Sequence, residues 1–88
     1  MFNVGDKVDW AETDDPKDKL INISYWGPGP FQIYKTEMDG GKQFVVLACV
    51  LEGQLMVLET RLDLWIPASD PEAAKIPAHI GASVLKKV

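Results

Sequence analysis

"FQIYKTEMDGGKQFVVLACVLEGQLMVLET", residues 31–60, holds three apolar runs separated by two tight-turn signals. Asp39-Gly40-Gly41 and Glu52-Gly53 suit the short reversals that join antiparallel neighbours, because glycine takes the positive φ those turns demand. The runs therefore read as strands over residues 31–37, 43–51 and 55–60, folded into a meander. In the middle run Phe44, Val46, Ala48 and Val50 point to one face and Val45, Leu47, Cys49 and Leu51 to the other, and both rows are apolar. In the third run Leu55 and Val57 oppose Met56 and Leu58 in the same way. A strand of a small barrel has one face in the core and one in solvent, so a hairpin apolar on both faces needs a cover for the outer one. Left open, that row would present about 400 Å² of apolar surface, near the upper end for a soluble monomer. Three covers fit: the C-terminal segment folding Ile76, Ile80, Val84 and Leu85 back over the hairpin, a second copy of the chain, or another protein.

Upstream, "VGDKVDW" at residues 4–10 alternates as a short strand with Val8 and Trp10 inward. "TDDPKDKLINIS" at residues 13–24 is polar and interrupted by Pro16, which predicts a solvated loop whose far end is pinned to the core by Leu20, Ile21 and Ile23. "WGPGP" at residues 26–30 is a stiff corner, since Pro28 and Pro30 fix φ near −65°. In the strand that follows, Phe31, Ile33 and Lys35 share one face and Gln32, Tyr34 and Thr36 the other. Downstream, residues 61–64 suit one helical turn and residues 65–67 a last strand stopped by Pro67. Ser69 or Asp70, Pro71 and Glu72 carry the signals of a helix start with a capping box. Pro77 interrupts it. Beyond Pro77, Ile80, Val84 and Val88 recur at four-residue spacing beside Leu85, with Lys86 and Lys87 at the end, which predicts a terminal helix.

Taken together, "VGDKVDW", "GPGPFQIY", the two hairpins and "LDLWIPAS" resemble the Src-homology-3-like small barrels in the broad sense, including the KOW-type and integrase C-terminal barrels. The resemblance covers about residues 3–68. It implies an all-β, five-stranded barrel over residues 1–68; the cap signals and spacing beyond it add a short C-terminal helical appendage, residues 69–88, packed on the barrel as part of one structural domain. The five-stranded OB-type barrel fits less well, because it carries a helix where this chain has only "EGQ". The N-terminal aromatic signature of the peptide-binding Src-homology-3 domains is missing.

Composition bounds the chemistry. The 88 residues suit one small core, and 47% hydrophobic with 25% charged residues is an ordinary globular balance. The net charge of −4 is concentrated early, in Asp6, Asp9, Glu12, Asp14, Asp15 and Asp18. The lone Cys49 allows no internal disulfide, and no stretch reads as a leader or a membrane span, so the expected setting is cytoplasmic. A nucleophile and base would have to be Cys49 and His79, and the reading is therefore of a protein that is not an enzyme. Cofactor and metal sites are likewise not expected. His and Cys are too few for zinc, and Glu12, Asp14, Asp15 and Asp18 lack the central glycine and closing glutamate of a calcium loop.

What remains is binding. Tyr25, Trp26, Tyr34 and Trp65, if outward, line a groove beside Glu12, Asp14 and Asp15 that suits a basic or proline-containing peptide. The alternative is that Trp26 and Trp65 cap the barrel ends as core material. The integrase-type resemblance implies a nucleic-acid partner instead. Against it, the middle strands hold only Lys35 and Lys42 among Glu37, Asp39, Glu52 and Glu59, which tracks phosphates poorly. A third reading places small-molecule binding or catalysis at the interface of a homo-oligomer.

Overall fold

Both glycine turns form where the sequence places them. In the computed structural model, which describes all 88 residues, Asp39 pairs with Lys42 across Gly40-Gly41, and Leu51 with Gln54 across Glu52-Gly53. The elements run β1 (Lys7–Trp10), α1 (Pro16–Trp26), β2 (Phe31–Asp39), β3 (Lys42–Leu51), β4 (Gln54–Glu59) and β5 (Leu64–Pro67). A 3-10 turn (Pro71–Lys75), β6 (Ile80–Gly81), a second 3-10 turn (Ala82–Val84) and β7 (Leu85–Lys87) complete the chain. All pairings are antiparallel, in the order β5-β4-β3-β2-β1-β7, with β6 added to β3. The molecule is thus a small, mainly-β fold with one α-helix.

The sheet has seven strands, six along an open path and β6 paired off it to β3, rather than the expected five in a closed barrel. The two extra strands come from the tail, where a terminal helix was expected. The first edge of β1 is paired only at Lys7 and Val8, and its other edge is taken by β7, with Trp10 opposite Leu85 and Val8 opposite Lys87. Gly81 and the β-branched Val84 and Val88 are weak helix formers, while pairing buries Ile80 and Leu85 to 4% and 6% exposure. Tertiary burial outweighs the four-residue spacing. The 60–63 segment is also a plain turn, with Asp63 at φ 52°, and not a helical one.

The polar stretch expected to be a loop is α1. Asp15 caps it by accepting from the Lys17 backbone N–H at 2.9 Å, and Pro16 occupies the first turn, where its missing N–H costs nothing. Gly27 closes it, donating its N–H to Ile23 O at 2.8 Å. Leu20 and Ile21 do not pin this segment to the core: they are 66% and 49% exposed, and Ile23 and Trp26 make the inward contacts instead.

The hairpin packs on both faces. On one side Val8, Trp10, Phe31, Ile33, Val45 and Leu47 form the main core together with Leu58, Ile80 and Leu85. On the other, Val46, Ala48 and Val57 are closed over by Ala73 and Ile76 from the tail, both fully buried. So the tail does cover the outer row, but through residues 73–76; Ile80 and Leu85 cross to the main core. A bulge between Ile33 and Lys35 corrects the face assignment in β2, because it sets Lys35 opposite outward-facing Val46. Lys35 then reaches the tail, its Nζ donating to Ile76 O at 3.0 Å, and the Ala78 N–H donates to Glu37 Oε2 at 3.0 Å.

Candidate interaction surface

Five aromatic rings form a continuous series of pairs from the surface into the core. Tyr25 lies 6.0 Å from Trp26, Trp26 stacks at 5.8 Å on Trp10, Trp10 meets Phe31 edge-on at 5.2 Å, and Phe31 stacks at 5.9 Å on Trp65. Each such pair contributes about 0.5–1.5 kcal/mol beyond the area it buries. Both indole N–H groups at the α1 end are satisfied: Trp10 Nε1 donates to Gly27 O at 2.9 Å and Trp26 Nε1 to Asp63 Oδ1 at 3.2 Å. The second bond brings the 60–63 turn against the end of α1.

The predicted binding residues divide into three places. Tyr25 is 63% exposed at one end of the ring series, while Trp26 and Trp65 are half-buried within it. Tyr34 is not with them; it packs on the outer cluster beneath the tail. Glu12, Asp14 and Asp15 lie at the start of α1, about 15 Å along the helix from Tyr25 and Trp26 at 1.5 Å per residue. Glu12 pairs with Lys19, and that hydrogen bond holds its carboxyl below the usual range. Asp15 is the helix cap and Asp14 is exposed. One groove lined by all seven does not form.

Sequence reasoning missed the residues that make this surface apolar. Leu20, Ile21 and Tyr25 are all exposed; at about 100° per residue they spread over about 140° of α1, with Ile21 and Tyr25 about 40° apart and Leu20 next to Ile23. Beside the Trp26–Asp63 bond, Leu62 and Leu64 are 67% and 42% exposed. The signal was present in part: with Asp15-Pro16 taken as a helix start and Gly27 as its stop, Ile21 and Tyr25 map to one side, opposite Ile23 and Trp26.

Cys49 and His79 do not meet. Cys49 lies beside Phe31 and Gln32, whereas His79 lies beside Phe44 and contacts Thr60 Oγ1 at 3.3 Å. Five residues of strand, about 16 Å, separate those two stations on β3. Burial pushes the Cys49 thiol up from its ordinary value, which favours the protonated form. The buried Glu59 is paired locally: Arg61 donates from Nε at 2.9 Å and Nη2 at 2.6 Å, and these bonds hold the carboxyl below its ordinary range. No helix is long and apolar enough to cross a membrane. No family model matches the chain, and comparison with curated proteins and with solved structures finds no match.

Proposed function

We propose that this chain is a non-enzymatic protein-interaction module whose docking surface is the outer face of α1 together with the adjoining aromatic end. The partner segment lays apolar side chains on Leu20, Ile21 and Tyr25 and turns Lys or Arg toward Glu12 and Asp14. One observation carries the reading. α1 buries none of its residues fully, yet it holds three large apolar side chains on its solvent face. Exposed apolar surface rimmed by polar residues marks partner sites on soluble proteins, and the rim here holds Asp14 and Asp18 beside Lys17. Acidic charge at one end of the helix selects basic character in the partner and orients it. The scaffold class we favour remains the Src-homology-3-like barrel, supported by the way β6 and β7 carry the sheet around one core. A reducing, cytoplasmic setting suits the free thiol of Cys49.

Selection from a displayed random-peptide library, followed by calorimetry on the enriched sequences, tests this. Enriched peptides are expected to combine apolar residues with Lys or Arg. Their affinity should fall about tenfold in Tyr25→Ala and in Leu20→Ser, with melting temperature nearly unchanged, since interface aromatics carry much of such binding energy. Asp14→Lys should weaken binding mainly through the association rate. Acidic selected peptides, or affinities indifferent to Tyr25 and Leu20, would remove the proposal.

A further inference from the structure

β3 outruns its neighbour on one side. Its pairing with β2 ends at Ala48, opposite Gln32, while its pairing with β4 continues through Cys49, Val50 and Leu51. The last three residues of β3 therefore have one paired edge and one open edge. Leu51 and Gln54 flank a two-residue turn and form the hydrogen-bonded pair next to it, so alternation leaves Val50 opposite Leu55 with its N–H and C=O directed away from β4. No turn or loop backbone group reaches round to satisfy them. Val50 is 64% exposed, and Leu51 beside it is 44% exposed.

A cleft of about 350 Å³ runs along this open edge, lined by Lys7, Pro30, Phe31, Gln32, Cys49 and Val50. Phe31, itself almost fully buried, and the protonated Cys49 give it an apolar floor. The one charged residue at the cleft is Lys7, which, like Lys17, Lys42 and Lys86, forms no ion pair and is free to meet an acidic group. Proteins normally blunt a free strand edge with charge, proline or cover. Here the edge presents an apolar side chain, a free donor and acceptor, and a cleft.

We propose that the open edge of β3 at residues 49–51 is a second binding site, separate from the α1 surface, which receives an extended segment of a partner protein by strand addition. The segment's backbone bonds the Val50 N–H and C=O, one apolar side chain enters the cleft over Phe31, and an acidic side chain meets Lys7. A second copy of this chain is the poorer occupant, because two-fold pairing through three residues would bring two copies of Lys7 to one short interface.

The probe is an acetylated, amidated pentapeptide of sequence TVTVE, titrated into the full chain and followed by amide chemical shifts and hydrogen exchange. TVTVE is expected to shift the amides of residues 49–51 and Phe31 and to slow exchange at Val50. Val50→Pro, which removes the open donor without breaking a ladder bond, should weaken binding about tenfold. Lys7→Glu should do the same and should restore affinity for the charge-reversed peptide TVTVK, an outcome that does not depend on the proline variant folding. Tyr25→Ala should leave TVTVE binding unchanged, which keeps this site distinguishable from the α1 surface. Unshifted Val50, wild-type affinity in both edge variants, or concentration-dependent protection of Val50 without peptide would overturn the proposal; the last would give the edge to a second copy.

Discussion

Gly29 shows how a single missing carbon shapes the corner before β2. A Cβ built there would lie 2.4 Å from Asp9 Oδ1, the oxygen that accepts the Trp10 backbone N–H at 2.7 Å. Gly29→Ala must displace the carboxylate and break that bond, which should cost about 1–3 kcal/mol in denaturant unfolding. In an Asp9→Ala background the same substitution should cost far less, and equal costs in the two backgrounds would dismiss the clash. Glu59 makes a complementary case in electrostatics. It is 3% exposed, and its carboxyl is held below the ordinary value chiefly by the side-chain bonds from Arg61. A carboxylate with a lowered folded pKa contributes stability that is present above its unfolded pKa and lost as pH falls through the folded one. Arg61→Ala removes the bonds and leaves the buried charge unpaired, so acid unfolding should begin at a higher pH than in the parent chain. An unshifted acid limb in circular dichroism would contradict this.

At the scale of elements, α1 and β3 are held by different forces, and the difference should be measurable. β3 is paired on both sides and buries Val45 through Ala48, whereas α1 has a cap and a few inward contacts but no fully buried residue. Amides in the middle of α1 should exchange through local opening well before those of β3, and Asp15→Ala should widen the gap by about 1 kcal/mol. Equal protection of the two elements would show α1 to be locked into the global unit. The same contrast explains what could be read from the chain. β1, the β2–β3–β4 meander and the need for an outer cover follow from alternation and turn residues, which report directly on strands. α1 was hidden because its apolar residues lie on both faces, so no single stripe stands out, and Pro16 reads equally as a breaker or as a first helical residue. β6 and β7 were hidden because they are two and three residues long, and only their partners, β3 and β1, make them strands. For the candidate surface, Tyr25 and the acidic residues can be named as candidates by residue type, but Leu20 and Ile21 need the helix to be recognised first, and Tyr34 lies apart from the others because it packs on the outer cluster.

For the whole molecule the decisive feature is that the tail serves two cores. Ala73 and Ile76 close the outer cluster, then Ile80 and Leu85 enter the main one. A tail that only covered the hairpin would be removable at the cost of stickiness. This tail also supplies a strand to β1 and another to β3, so a chain ending at Ser69 loses buried side chains from both clusters and the partner along Val8–Trp10. That chain should melt without cooperativity and show lost near-ultraviolet dichroism. A milder change separates the two roles. Ile76→Ala should cost about 2–5 kcal/mol, because the side chain is fully buried, while leaving β6 and β7 paired. Ile76→Lys should go further and lift the tail from Val46, Ala48 and Val57, giving a folded chain whose mass by light scattering rises with concentration. If the chain cut at Ser69 stays monomeric with a cooperative melt, the tail is a removable cover. If Ile76→Lys unfolds outright, the two clusters form one cooperative unit, and the outer apolar row is never presented by a folded molecule.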